Sequence, residues 1–151
     1  MLEERINQDL KTALLGGDKL TVSTLRVVRS VILNAKVASN TRDQVMPDNE
    51  LIVILQKEAK KRQESADLYK QGGDDDRANQ EFTEKTIIGK YLPAQLDEAA
   101  ITKLVDATIE ATGIRAQTGM GEIIARVRQQ AAGQADGAVI ARIVRDRLAA
   151  T

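Results

Sequence analysis

Tyr91-Leu92-Pro93-Ala94-Gln95-Leu96 is the stretch that divides this sequence. Pro93 lacks an amide hydrogen and disfavours helical backbone at the residue before it, so a helix that reaches Leu92 ends there. Upstream, apolar residues recur every three or four positions over long segments; downstream they do so over short ones. No segment shows the strict alternation of a strand. The sequence therefore specifies an all-α chain of two helical sub-domains, an N-terminal long-helix bundle over residues 1–92 and a C-terminal three-helix bundle over residues 97–151.

Working back from Pro93, Asp74-Asp75-Asp76 begins a helix that carries Ala78, Phe82, Ile88 and Leu92. Before it, Pro47 suits a helix start with Asp48 and Glu50 in the first turn, and that helix runs to Gly72-Gly73. Leu2, Ile6, Leu10, Ala13 and Leu14 line a first helix stopped by Gly16-Gly17. Asp18 caps a second, whose apolar sector holds Leu20, Val27, Val28, Val31, Ile32, Ala35 and Ala38, with Val22 and Leu33 on the other side. Such a helix is central and touched on more than one face. Beyond Pro93, Asp97 caps Ile101, Leu104, Val105 and Ile109, closed by Gly113. Thr118 or Gly119 opens a run through Ile123, Ile124, Val127 and Ala131, closed by Gly133, and Asp136 precedes Ile140, Ile143, Val144 and Leu148.

Only 2% of the 151 residues are aromatic and none is Trp, so the cores are aliphatic. Lys plus Arg and Asp plus Glu both number 22, and any affinity for nucleic acid must come from a local patch. The chain has no His and no Cys, which excludes a Ser-His triad, a thiolate nucleophile, a disulfide framework and the usual zinc sites. No catalytic constellation, cofactor motif or metal-ligand spacing remains. The start, Met1-Leu2-Glu3-Glu4-Arg5, is charged, and the longest apolar run, Leu51-Ile52-Val53-Ile54-Leu55, is far too short to span a bilayer. A cytoplasmic protein with no membrane partner is expected.

Four groups of polar residues are candidates for function. Arg26 and Arg29 lie three apart, opposite the main apolar sector of the second helix, with Lys36 near the same line. They form either a solvated face or a phosphate- or partner-binding stripe. On the third helix the line of Leu51 and Leu55 continues as Glu58, Arg62, Ser65 and Tyr69. This polar ladder is either a wet Glu58-Arg62 pair or a face turned toward the second sub-domain or a partner. Asp74-Asp75-Asp76 fits a helix N-terminus better than a cation site, and Glu81, one turn before Glu84, has Lys85 four residues on as a ready partner. From Ile114 onward Arg115, Arg126, Arg128, Arg142, Arg145 and Arg147 outnumber Glu122, Asp136 and Asp146, a local surplus carried by the last two helices. Of these, Arg126, Arg128, Arg142 and Arg145 fall outside the apolar stripes, where they suit phosphate recognition.

Together with Lys60-Lys61-Arg62, Ser65, Tyr69 and Asp76-Arg77-Ala78, the Tyr91-Leu92-Pro93, Thr118-Gly119-Met120-Gly121 and Gly133-Gln134-Ala135-Asp136-Gly137 motifs resemble the YqeY family. Members are related to the tail of the B subunit of the glutamine-dependent aspartyl/glutamyl-tRNA amidotransferase. Ile124, where a second methionine is expected, and the acidic turn Gly72-Gly73-Asp74-Asp75 depart from the pattern. The resemblance implies an all-helical fold and a tRNA-binding or amidotransferase-accessory role, associated with carbon-nitrogen ligase activity that uses glutamine as amide donor, in a chain without the catalytic site. It places Arg26, Arg29, Arg126, Arg128, Arg142 and Arg145 as candidates for RNA binding. A helical protein-interaction domain without RNA is the alternative.

Overall fold

The structure, a computed structural model, describes residues 1–150. Among these residues there are seven α-helices, one short 3₁₀ turn and no strand. They are α1 (Leu2–Gly16), α2 (Lys19–Ala38), α3 (Asp48–Gln71), α4 (Asp75–Gly89), α5 (Glu98–Thr112), α6 (Met120–Ala131) and α7 (Gly137–Ala149), with the 3₁₀ turn at Gln117–Gly119. The chain divides into two compact units, Met1–Leu92 and Pro93–Thr151.

Aspartates start four of the helices. Asp18, Asp74, Asp97 and Asp136 each accept a backbone N–H two or three residues on, satisfying a donor that has no partner inside the helix. Pro47 precedes α3, and Asp48 in its first turn also accepts the Leu2 N–H at 3.0 Å, which holds the beginning of α1 to α3.

In the first unit Ile6, Leu10 and Ala13 of α1 meet Val22, Leu25, Val28 and Ile32 of α2, Leu51, Leu55 and Ala59 of α3, and Ile87, Ile88 and Tyr91 at the end of α4. Helix α2 packs on α1, α3 and α4, the central place its two-sided apolar pattern demands. Its apolar arc is nevertheless wider than its neighbours cover: Val27, expected in the main apolar sector, is 42% exposed and Leu33 45%. Tyr91 anchors the end of α4, its hydroxyl donating to Asp9 at 2.6 Å while the Arg5 guanidinium lies over the ring.

In the second unit Ile101, Val105 and Ile109 of α5, Ile123 and Val127 of α6, and Ile140, Ile143, Val144 and Leu148 of α7 close a purely aliphatic core. Two of the motifs that carry the family resemblance meet here. The Leu96 N–H donates to the Gln134 carbonyl at 2.7 Å and the Gln95 amide to the Gly133 carbonyl at 3.2 Å, pinning the entry of the unit to the α6–α7 loop.

The Thr118-Gly119-Met120-Gly121 turn has a similarly internal explanation. A Cβ on Gly119 would stand 2.3 Å from Cγ2 of Ile114, so glycine is required for the chain's own packing. The end of α6 shifts by one residue from the expected Gly133: Ala132 takes the left-handed conformation, at φ 47°, ahead of Gly133 at φ 84°.

Candidate functional site

Helices α1 and α2 run antiparallel, tied near one end by Lys36 Nζ donating to Glu3 Oε1 at 2.8 Å. Glu3 also accepts the Met46 N–H through Oε2 at 2.6 Å. Burial alone would raise its pKa, but these bonds and the Lys36 charge together hold the carboxyl below its ordinary value. Between the two helices lies a groove of about 470 Å³ lined by Glu3 and Asn7 of α1 and by Arg26, Arg29, Ser30, Ile32, Leu33 and Lys36 of α2. Arg26 and Arg29 are exposed and form no ion pair with any described residue. The structure therefore brings both arginines, with Lys36, to one concave surface. Periodicity on α2 alone reveals the arginines. Glu3 and Asn7 belong to a different helix, and only the antiparallel pairing of α1 with α2 brings them in.

The polar ladder of α3 separates into parts. Glu58 is buried, 3% exposed, and Arg62 is close to it. Both face α4 of the same unit, the other arm of an antiparallel hairpin. Arg62 Nε lies 3.2 Å from Glu84 Oε2 and 3.9 Å from Glu81 Oε2, and its Nη2 lies 3.8 Å from Glu58 Oε2. Lys61, on the outer side, reaches Glu58 at 3.1 Å. The wet Glu58-Arg62 pair is thus corrected to one guanidinium among three carboxylates in a site largely shielded from water. The expected Glu81-Lys85 pair is also absent: Lys85 Nζ donates to Gln63 at 2.7 Å, and Glu81 turns to Arg62. Burial and the neighbouring Glu84 raise the Glu81 pKa, with Arg62 offsetting only part of the shift. Ser65 is half-buried, and Tyr69 sits at the hairpin end with the Arg77 guanidinium 5.8 Å from its ring centre.

The triple aspartate does what a helix start requires, Asp74 accepting the Arg77 N–H with Asp75 and Asp76 in the first turn. Among the described residues no group of His, Cys, Asp or Glu is arranged to hold a metal ion, and no helix is long and apolar enough to cross a membrane.

All four arginine candidates in the second unit are exposed, but they are not equivalent. Arg126 pairs with Glu122 one turn back, and Arg142 pairs with Glu98 on α5. Arg147 forms two parallel bonds with Asp106 at 2.7 and 2.8 Å, which raise its pKa. Arg128 and Arg145 make no ion pair among the described residues. The basic surplus counted from Ile114 onward therefore does not survive in the folded unit. Glu98 and Asp106 of α5 answer it, and over residues 93–151 seven basic side chains equal seven acidic ones.

Residues 3–148, almost the whole chain, match the YqeY-like protein family. Two curated relatives carry the name altered inheritance of mitochondria protein 41, mitochondrial. The one from Clavispora lusitaniae (strain ATCC 42720) is 31% identical over 127 residues, 82% of this chain and 72% of its own length. The one from Pyrenophora tritici-repentis (strain Pt-1C-BFP) is 25% identical over 134 residues, 87% of this chain and 71% of its own length. With the motifs at Pro93, Gly119 and Gly133 serving the packing of the helices that the match spans, the chain belongs to the YqeY family.

Proposed function

We propose that this protein is a tRNA-binding accessory module of the amidotransferase lineage, with no catalytic centre of its own and no cofactor. The observation that carries the proposal is the placement of Arg126, Arg128, Arg142 and Arg145 on exposed surface of α6 and α7, outside the aliphatic core. Arg128 and Arg145 make no ion pair among the described residues, and the pairs made by Arg126 and Arg142 are exposed and weak, so phosphate oxygens compete for them on good terms. Recognition is of the backbone. With two Tyr, one Phe and no Trp, the chain has little to stack on bases. Carbon-nitrogen ligase chemistry with glutamine as donor belongs, in this proposal, to a partner enzyme.

The test is equilibrium binding of a 5′-dephosphorylated tRNA across a salt series. Binding that weakens steeply with salt, and about equally for tRNAs of different sequence, supports the proposal. Salt-independent binding, or none, overturns it.

The equality of acidic and basic side chains in the second unit favours a second reading, a helical protein-interaction domain without RNA. Recovery of a stoichiometric protein complex by a chain that fails the tRNA test would establish it. The cytoplasmic location expected from the sequence belongs to the proposal as well. The two relatives are named as mitochondrial, so fractionation of source cells is the direct check.

A further inference from the structure

The α1–α2 groove has features that backbone recognition does not need. Its lining carries three cationic side chains and one carboxylate, a formal charge of two positive units in a chain whose total is zero. The carboxylate, Glu3, is already committed to Lys36 and to the Met46 N–H. Arg26 and Arg29 are left without a counter-ion among the described residues, one helical turn apart on the same wall. Asn7 supplies an amide to the same groove and Ser30 a hydroxyl, while Ile32 and Leu33 make part of the lining apolar. At about 470 Å³ the groove falls within the ordinary range for small-ligand sites.

Two neighbouring guanidinium groups select among anions. A carboxylate or a phosphodiester carries one negative charge and satisfies one arginine. A terminal phosphate carries nearly two, with three free oxygens, and bridges both. From the charge, the paired arginines and the size of the groove, we infer that it binds a terminal phosphate group borne on a nucleotide-sized ligand, with Arg26 and Arg29 as the phosphate ligands and Leu33 against the remainder. Free nucleotides and the 5′ end of an RNA present the same chemistry. The inference stands apart from the tRNA proposal, since a free nucleotide can occupy the groove of a protein that binds no tRNA.

The experiment follows backbone amide shifts of the intact chain by NMR during titration with adenosine 5′-monophosphate, adenosine and cyclic 3′,5′-AMP. A second pair of titrations uses one short RNA oligonucleotide with and without a 5′-phosphate. Saturable shifts centred on residues 26–36 are expected with AMP, or with the 5′-phosphorylated oligonucleotide alone if an RNA end is the source. Adenosine and the cyclic diester should bind at least tenfold more weakly than AMP, and the oligonucleotide should lose at least tenfold without its 5′-phosphate. Arg26→Gln with Arg29→Gln should reduce binding at least tenfold. Arg128→Gln with Arg145→Gln, which removes the same charge from the other unit, should leave unchanged the binding of AMP and the loss that the oligonucleotide suffers without its 5′-phosphate. Both arginines of each pair are exposed, and thermal melts verify that the variants fold. The inference is overturned if no phosphomonoester shifts these amides, if the cyclic diester or the unphosphorylated oligonucleotide does so equally well, or if the two double variants lose the phosphomonoester-dependent binding equally.

Discussion

The two units reach a stable helical interior by opposite treatments of charge. The first admits it: Glu58 is buried on α3, and Arg62 beside it serves that carboxylate and two more across the hairpin. The second excludes it. Its core is aliphatic, its buried Thr108 returns a hydrogen bond to the Leu104 carbonyl at 2.7 Å, and its ion pairs all lie on the surface. A buried charge adds little net stability over a well-packed apolar pair, but removing one partner is severe because the others are left stranded. The first unit should accordingly be fragile at a few specific side chains, and the second tolerant of change at most of its charges.

The largest effect tests that fragility. Arg62→Met leaves Glu58, Glu81 and Glu84 with Lys61 as the single remaining basic partner, and should destabilise the first unit by about 3 kcal/mol. Hydrogen exchange measured per helix should show protection falling in α3 and α4 while α5 to α7 keep theirs. Arg147→Met in the second unit removes a doubly hydrogen-bonded pair from exposed surface, and its melt should scarcely move. Equal losses from the two substitutions would break the comparison.

A smaller effect distinguishes the two buried threonines. The Thr24 hydroxyl is buried without a hydrogen-bond partner among the described residues, whereas that of Thr108 is satisfied. Thr24→Val should stabilise the chain by about 1 kcal/mol in a denaturant titration, and Thr108→Val should give no gain. A loss at Thr24 as large as that at Thr108 would mean that its hydroxyl has a partner after all.

The smallest effect is a dependence on pH. With the Glu81 pKa raised, the folded chain holds this proton more tightly than the unfolded chain, whose value stays near 4.5. The associated stability is fully present below that pH and is lost as pH rises through the folded-state value. Glu81→Gln keeps the shape and removes the titration. Its stability relative to the parent should therefore rise from acid toward neutral pH and then level off. A difference that does not vary with pH would show that Arg62 already neutralises the pair. Glu3, with its pKa lowered, should show the opposite sign, its contribution being lost as pH falls through the depressed value.

Much of the helical pattern was legible before the structure because its signals are local. A capping aspartate acts two or three residues away, and an apolar stripe such as Ile140, Ile143, Val144 and Leu148 records a period that the helix itself imposes. The candidate sites were legible only in part. Arg26 and Arg29 stand out on α2, but Asn7 and Glu3 enter through the pairing with α1. The same limit hid the partner of Glu81: Lys85 is the neighbour along the helix, while Arg62 becomes the nearer counter-charge only once the hairpin register sets α3 against α4. In the second unit the arginine surplus looked real because Glu98 and Asp106 lie outside the stretch counted, and folding carries Arg142 and Arg147 onto them. Val27 was misplaced for a related reason, since periodicity shows how wide an apolar arc is but not how much of it neighbouring helices reach.

We propose that exposed arginines of the second unit hold RNA backbone, while those of the first unit hold a terminal phosphate. The most direct measurement is the salt slope of binding to a 5′-dephosphorylated tRNA for the parent, for Arg128→Gln with Arg145→Gln, and for Arg26→Gln with Arg29→Gln. The magnitude of the slope should fall by about two for the first double variant, roughly one per lost phosphate contact, and match the parent for the second. A slope lost only with Arg26 and Arg29, or a parent that shows no salt-sensitive binding, would contradict this proposal.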